Sequence, residues 1–453
     1  MKIIVAGAGA GKTRSMAQMV LNRYNEVDSK FIYVITFTNA AKNHVKNKIR
    51  ELNGHIPRRI LVRTIHSFLL NEFIYPYNHL LYGQQFTKVS KIKLPDNHAY
   101  KANKLKELAK HKYIHVDRVT QVAKWIIYGK TNDKKEIKLK RRGILSLIPK
   151  YLDSIFVDEA QDIDENFSKV IEVLNEIGIY INLIGDPKQD LRGNFAFDNL
   201  INKYSNHVIY KTENHRCPIS HVLFANNFVS EKEKQVPKTK IFGLLNYCFE
   251  SEVNIEKLLG LKKWDYIYIS RKNDRFLTHP TNNKINEESL EFELKTLLLK
   301  SGINENSIDK NTFILKEAIL KNLNKIDYDK IFLGMEKILS IKLTKNERRK
   351  LSSLFDLNKV QCTQKGFFVR SIDSIKGLEG NNCIFILTTD LAPYLFKEKT
   401  NKNKMLNYLY VALTRSKYEL LILVTKEVES RYGNNFVINK FKELNVDKLE
   451  CKN

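Results

Sequence analysis

Residues 6–13 read Ala-Gly-Ala-Gly-Ala-Gly-Lys-Thr and follow directly on the apolar run Ile3-Ile4-Val5. An apolar run, small residues and then Gly-Lys-Thr predict a buried strand, a tight loop and a helix that begins near Lys12. Only Gly and Ala let consecutive backbone N–H groups curl around a phosphate chain. The N–H groups of Ala8, Gly9, Ala10 and Gly11 would form that cradle, and the helix would aim its positive end at the same anion. In such a loop Lys12 neutralises the β and γ oxygens, and the Thr13 hydroxyl holds Mg²⁺. Ala6 stands where the strict pattern has Gly, so the plain alternative is a Gly-rich turn without a ligand.

A second segment narrows the choice. Ser154–Val157 is apolar and delivers Asp158 and Glu159 at its end, followed by Ala160-Gln161-Asp162. Sheets of alternating α/β chains bind ligands at the carboxyl ends of their strands. There Asp158 can ligate Mg²⁺ across from Thr13, while Glu159 orients and deprotonates the attacking water. Taken alone, such a string also fits an exposed helix start.

Short apolar runs recur along the chain: Ile32–Thr36, Ser154–Val157, Ile181–Ile184, Val208–Tyr210, Tyr266–Ile269, Phe367–Ser371, Ile384–Thr388 and Leu420–Val424. Their near-continuous Ile, Val, Leu, Phe and Tyr content predicts parallel strands covered on both faces. Two blocks read as helical, with apolar spacing in Lys101–Lys110, Val119–Tyr128, Leu290–Leu299 and Ile331–Leu339. The expected fold class is α/β: two nucleotide-binding cores with parallel sheets, each carrying a mainly helical insertion. The expected boundaries are 1–69 and 151–205 for the first core, with 70–150 inserted. The second core spans 206–280 and 365–453, with 281–364 inserted.

Net charge is +26, from 76 Lys+Arg against 50 Asp+Glu. That excess suits a polyanion partner, nucleic acid first; equally, an AT-rich coding sequence supplies Lys and Asn without any such partner. Five scattered cysteines without metal-ligand spacing read as reduced thiols of a cytoplasmic protein. No apolar run approaches the roughly 18 residues of a membrane span, and no signal peptide is evident.

Taken in order, these segments and six more resemble the superfamily-one helicases of the UvrD/PcrA/Rep type. The phosphate loop matches through Arg14. Thr36–Ala41 resembles motif Ia, and Thr64-Ile65-His66-Ser67-Phe68 the next DNA-contacting motif. Asp158–Asp162 is the second motif in full, and Gly185–Gln189 resembles motif III. Asn214-His215-Arg216, Ser374–Gly380 and Tyr410–Ser416 resemble motifs IV, V and VI.

The resemblance implies two RecA-like cores with ATP and Mg²⁺ between them. It also implies γ-phosphate contacts from Gln189, Arg216 and Arg415, and places Arg14 beside the nucleotide and Glu379 at its sugar. Contacts to single-stranded DNA, or to DNA with single-stranded tails, are implied for Thr38, Asn39, Thr64, His66 and Ser67, and again around Ser374 and Lys376. The usual base-stacking aromatics after motif III are replaced by Arg192 and Asn194, leaving Phe195 or Phe197 for stacking or for the core. Asp373 replaces a common His and would repel phosphate. The adenine-reading Gln segment is missing before the loop, which relaxes the expected base choice. The implied activity is ATP-driven 3′→5′ movement on single-stranded DNA. The rivals are an end- or junction-sensing ATPase that controls a partner nuclease, as in antiphage systems such as Gabija, and a nucleotide-occupied DNA-binding module with little turnover.

Overall fold

The computed structural model describes residues 1–260, 262–278, 283–304, 307–323, 326–358 and 367–449. In chain order the first strands are β1 (Lys2–Ala6), β2 (Phe31–Thr36), β3 (Ile60–Thr64), β4 (Lys88–Ser90), β5 (Tyr113–His115) and β6 (Leu152–Val157). There follow β7 (Tyr180–Gly185), β8 (Val208–Lys211), β9 (Glu213–Asn214), β10 (Val236–Pro237), β11 (Leu244–Phe249) and β12 (Tyr266–Ile269). The last are β13 (Phe276–Thr278), β14 (Phe367–Ser371), β15 (Gly380–Leu387), β16 (Ser416–Val424) and β17 (Asp447–Lys448).

Two RecA-like parallel sheets form. The first has the order β3-β2-β6-β7-β1-β8, and the second β13-β14-β12-β15-β16-β11-β17. Parallel neighbours require crossovers, and the crossover helices cover both faces. The helix Lys12–Glu26 shows how: Met16, Ala17, Val20 and Leu21 fall on one face and are buried. They pack on Ile4, Ile32, Val34, Phe156 and Ile184 of the sheet. Each such large side chain contributes about 1.5–3 kcal/mol when taken from water.

Expected strands Ile32–Thr36, Ser154–Val157 and Ile181–Ile184 lie within β2, β6 and β7. Val208–Tyr210 is a strand as expected but is not covered on both faces. As β8 it closes the edge of the first sheet, with Ile209 47% and Tyr210 38% exposed. β11 lies outside the eight expected runs, yet it pairs with β16 over six residues.

The described residues divide into two compact units. The first comprises Met1–Gly83, Val119–Thr278 and Gly366–Asn453 and so holds both large sheets. The second comprises Gln84–Arg118 and His279–Lys365. Segment 70–150 therefore contributes to both. The second unit carries the short β4–β5 pair and the helices Asn283–Lys300, Ile308–Asn322, Tyr328–Leu339 and Lys345–Asn358. Leu290, Leu294, Leu298, Phe332, Met335 and Phe355 share its core. Among the described residues no helix is long and apolar enough to cross a membrane. Cys217, Cys248 and Cys383 are buried; Cys362 and Cys451 lie outside the described residues.

Candidate nucleotide site

The carboxyl ends of β1, β6 and β7 are neighbours in the first sheet and carry the segments 6–13, 158–162 and 186–189. Gly9 and Gly11 have φ of +73° and +67°, a region closed to most side chains. At Gly9 the space is closed too: a Cβ would meet Asn214 Oδ1 at 2.3 Å and Arg216 Cβ at 2.7 Å. The Gly9 carbonyl accepts from His215 N–H at 2.9 Å. The phosphate loop is thus roofed by the segment that leads into the second sheet. Lys12 Nζ donates to the Ala6 carbonyl at 3.3 Å, and the helix behind it starts at Lys12 as expected.

Asp158 and Glu159 sit opposite the loop. Burial, reinforced by the Glu159 charge, pushes the Asp158 carboxyl up to about 7 against the pull of Lys12. Burial also works on Glu159, but Lys12 and the Gln161 amide outweigh it and hold that carboxyl below its usual value. Gln161 Nε2 donates to Glu159 Oε2 at 2.5 Å, while Gln161 Oε1 accepts from Asp186 N–H at 3.0 Å. Glu159 itself has left-handed backbone, with φ 55° and ψ 44°. One amide therefore ties the carboxylate pair to the next loop.

In that next loop Asp186 is fully buried and receives the Lys188 ammonium at 3.0 Å and Gln189 Nε2 at 3.0 Å. Burial opposes its charge, yet Lys188 and Lys12 keep its carboxyl low. Lys188 also faces Glu233 at 3.7 Å and lies over the Tyr410 ring. Asn407, from the helix Lys404–Leu413, donates to the carbonyls of Asp190 and Pro187 at 3.0 and 3.4 Å.

Arg216 packs against the loop at Gly9, and Arg415 lies near Arg216. Arg216 pairs with Glu379 at 2.5 Å, and Lys417 binds the other Glu379 oxygen at 2.8 Å. Arg415 is only 1% exposed. It donates to the carbonyls of Val411 at 2.9 Å and Leu378 at 3.3 Å, and to Thr414 Oγ1 at 3.1 Å. Among the described residues no carboxylate pairs with it. Burial and the nearby Arg216 charge lower its proton affinity. Beside Ala10 and Gly11 an open cavity of about 810 Å³ is lined by Arg14, Gln18, Tyr210, Lys211, Glu213 and His215.

The residues expected at DNA occupy other positions. Thr38 and Thr64, at the ends of β2 and β3, accept from Ala41 N–H at 3.1 Å and Ser67 N–H at 3.4 Å, capping the helices that follow. Asn39 is exposed, and His66 and Ser67 are half-buried. Ser374 donates to the Ser371 carbonyl at 2.7 Å, and Lys376 pairs with Asp162. Arg192 is exposed and Phe195 half-buried, whereas Phe197 belongs to the core at 2% exposed. Asp190 shapes that loop by accepting from Arg192, Gly193 and Phe195 N–H. The charge of Asp373 is engaged by the Tyr408 hydroxyl at 2.7 Å.

Gln161, Asp186, Lys188 and Tyr410 were present in the motif strings, but their linking roles appear only in three dimensions. Gln235 had no signal: it ends a charged stretch, Glu231-Lys232-Glu233-Lys234, that reads as a solvated loop.

Residues 2–143 match the family model of the UvrD/REP helicase N-terminal domain. No curated protein matches the chain. One similar solved structure is the complex of arterivirus nonstructural protein 10, a helicase, with DNA. Identity is 11% and the TM-score 0.36, with 93% of this chain and 60% of that chain covered. The chain thus spans about three-fifths of that structure's length.

Proposed function

We propose that the chain is an ATP-driven DNA translocase of the superfamily-one helicase type, hydrolysing ATP with Mg²⁺ and moving 3′→5′ on single-stranded DNA. Support comes above all from Arg415, a buried guanidinium with no carboxylate partner among the described residues, near the charge of Arg216, which itself packs against the glycine cradle at Gly9. A buried cation calls for an anion, and a triphosphate supplies one of the right size and charge. Thr13 and Asp158 fit Mg²⁺, which takes few protein ligands when substrate phosphates complete its shell. Held there, Mg²⁺ would supply positive charge against the phosphate oxygens.

The side chains then divide the work. Lys12 and the loop N–H groups hold the phosphate chain. Arg216 and Arg415 meet the charge that spreads over the γ oxygens as the bond breaks. Glu159, kept ionised by Lys12 and Gln161, orients a water and takes its proton. Gln189, bound to Asp186, is poised to report whether the γ-phosphate is present. The family-model match over residues 2–143 supports the helicase reading in general and spans the loop with Lys12 and Thr13.

ATP hydrolysis measured with and without single-stranded DNA tests the reading, followed by strand displacement on substrates with 3′ or 5′ tails. Stimulation by DNA with displacement from 3′ tails is expected. Stimulation without displacement on any tail would favour a sensing ATPase instead, and no hydrolysis at all would overturn the reading.

A further inference from the structure

We propose that Gln235 is a positioning residue of the nucleotide site, fixing the phosphate loop relative to both arginines. The inference rests on the ATPase reading above. Gln235 is buried at 7% exposure, and its side-chain hydrogen bonds run to site segments. Its Nε2 donates to the Ala8 carbonyl at 3.0 Å. Its Oε1 accepts from Asn214 Nδ2 at 3.1 Å and from the Tyr410 hydroxyl at 3.2 Å. Tyr410 in turn accepts from Ala8 N–H at 3.4 Å, so Ala8, Tyr410 and Gln235 close a ring of hydrogen bonds.

Two of these contacts lead to an arginine. Asn214 Oδ1 accepts from Arg216 N–H at 3.0 Å and Cys217 N–H at 2.9 Å, and so shapes the turn that carries Arg216. Tyr410 lies on the helix whose Val411 carbonyl holds Arg415 Nε. The backbone of Gln235 is clamped as well. Asn226 bonds both its N–H, at 2.9 Å, and its carbonyl, at 2.8 Å, and the next residue enters the β9–β10 pair. The fit against the loop leaves no slack, because a Cβ at Gly7 would lie 2.4 Å from Gln235 Nε2. A rigidly held amide between three site segments sets distances rather than charge. Small displacements of aligned groups slow the chemical step by up to about a hundredfold, while Lys12 and the loop N–H groups continue to bind phosphate.

The test is steady-state ATP hydrolysis at saturating single-stranded DNA for Gln235→Met, Tyr410→Phe and the double variant, with thermal melting as a folding check. Gln235→Met keeps the length and removes all three bonds. A kcat lower by about 10- to 100-fold with KM for ATP within about threefold is expected, and Tyr410→Phe should lose less. The double variant should be no slower than Gln235→Met, since both act through one network. Unchanged kcat, a loss confined to KM, or losses that multiply in the double variant would each overturn the proposal. Should Gln235→Met fail to fold, Gln235→Glu takes its place: it keeps both acceptor contacts and loses the bond to Ala8, and an unchanged kcat there overturns the proposal. Lys12→Ala separates the two levels. Wild-type turnover that survives Lys12→Ala sinks the nucleotide site itself, whereas Lys12-dependent turnover indifferent to Gln235 sinks only the positioning role.

Discussion

Two halves of one sheet edge behave differently. Along β6, β7 and β1 the loops are joined by side chains from distant parts of the sequence: Gln161 to Asp186, Lys188 to Glu233, Ala8 to Tyr410. Along β3 and β2 the polar side chains serve their own helices, with Thr38 and Thr64 capping the turns that follow them. The first half is a site closed by long-range polar contacts, so few other arrangements satisfy it. The second is a set of local caps, which any strand-to-helix turn can use whether or not a ligand comes.

The sharpest break of this contrast is Glu159→Gln. The amide keeps the shape and removes the base, so turnover should fall by about 10²–10⁴-fold in a steady-state assay. A fall of less than about tenfold would remove Glu159 from that role. Lys188→Met leaves the fully buried Asp186 without its ammonium, and chemical unfolding should show a loss of about 3–5 kcal/mol. No loss would mean that the long-range contacts of the first half carry little weight. Lys12→Ala should lower hydrolysis by about a hundredfold or more, with single-stranded DNA affinity nearly unchanged in a binding titration. An equal loss of DNA affinity would merge the two halves.

The smallest effect belongs to the second half. Thr38→Ala should cost about 1 kcal/mol of stability by denaturant unfolding, and Thr38→Ser should restore most of it. Weaker DNA binding in the alanine variant at unchanged stability would turn this cap into a strand contact.

The sheets were legible because parallel strands are buried on both faces and write themselves as unbroken apolar runs. That signal fails at edges and in irregular strands. Val208–Tyr210 has the composition of a central strand yet lies at the rim as β8, since composition does not reveal whether a second neighbour exists. In β11, Leu-Leu-Asn-Tyr-Cys-Phe places Asn246 inside the run, and the three-residue β4 and β5 are too short to show a period. At the site, Lys12, Asp158 and Arg415 stood in recognisable strings because their spacing to neighbours is fixed by the loop each occupies. Gln235 did not. Its partners are 21, 175 and 227 residues away along the chain, and nothing in its own surroundings distinguishes it.

Glu159 holds a left-handed backbone that only glycine adopts without strain, at a cost of about 1–3 kcal/mol. Glycine there would make a more durable protein, because it would relax the turn and remove a buried acid. It would also lack a proton acceptor. With Glu159 in the proposed role of base, selection for robustness and selection for turnover pull this one position in opposite directions, and an engineer who ranks variants by melting temperature would discard the proposed base first.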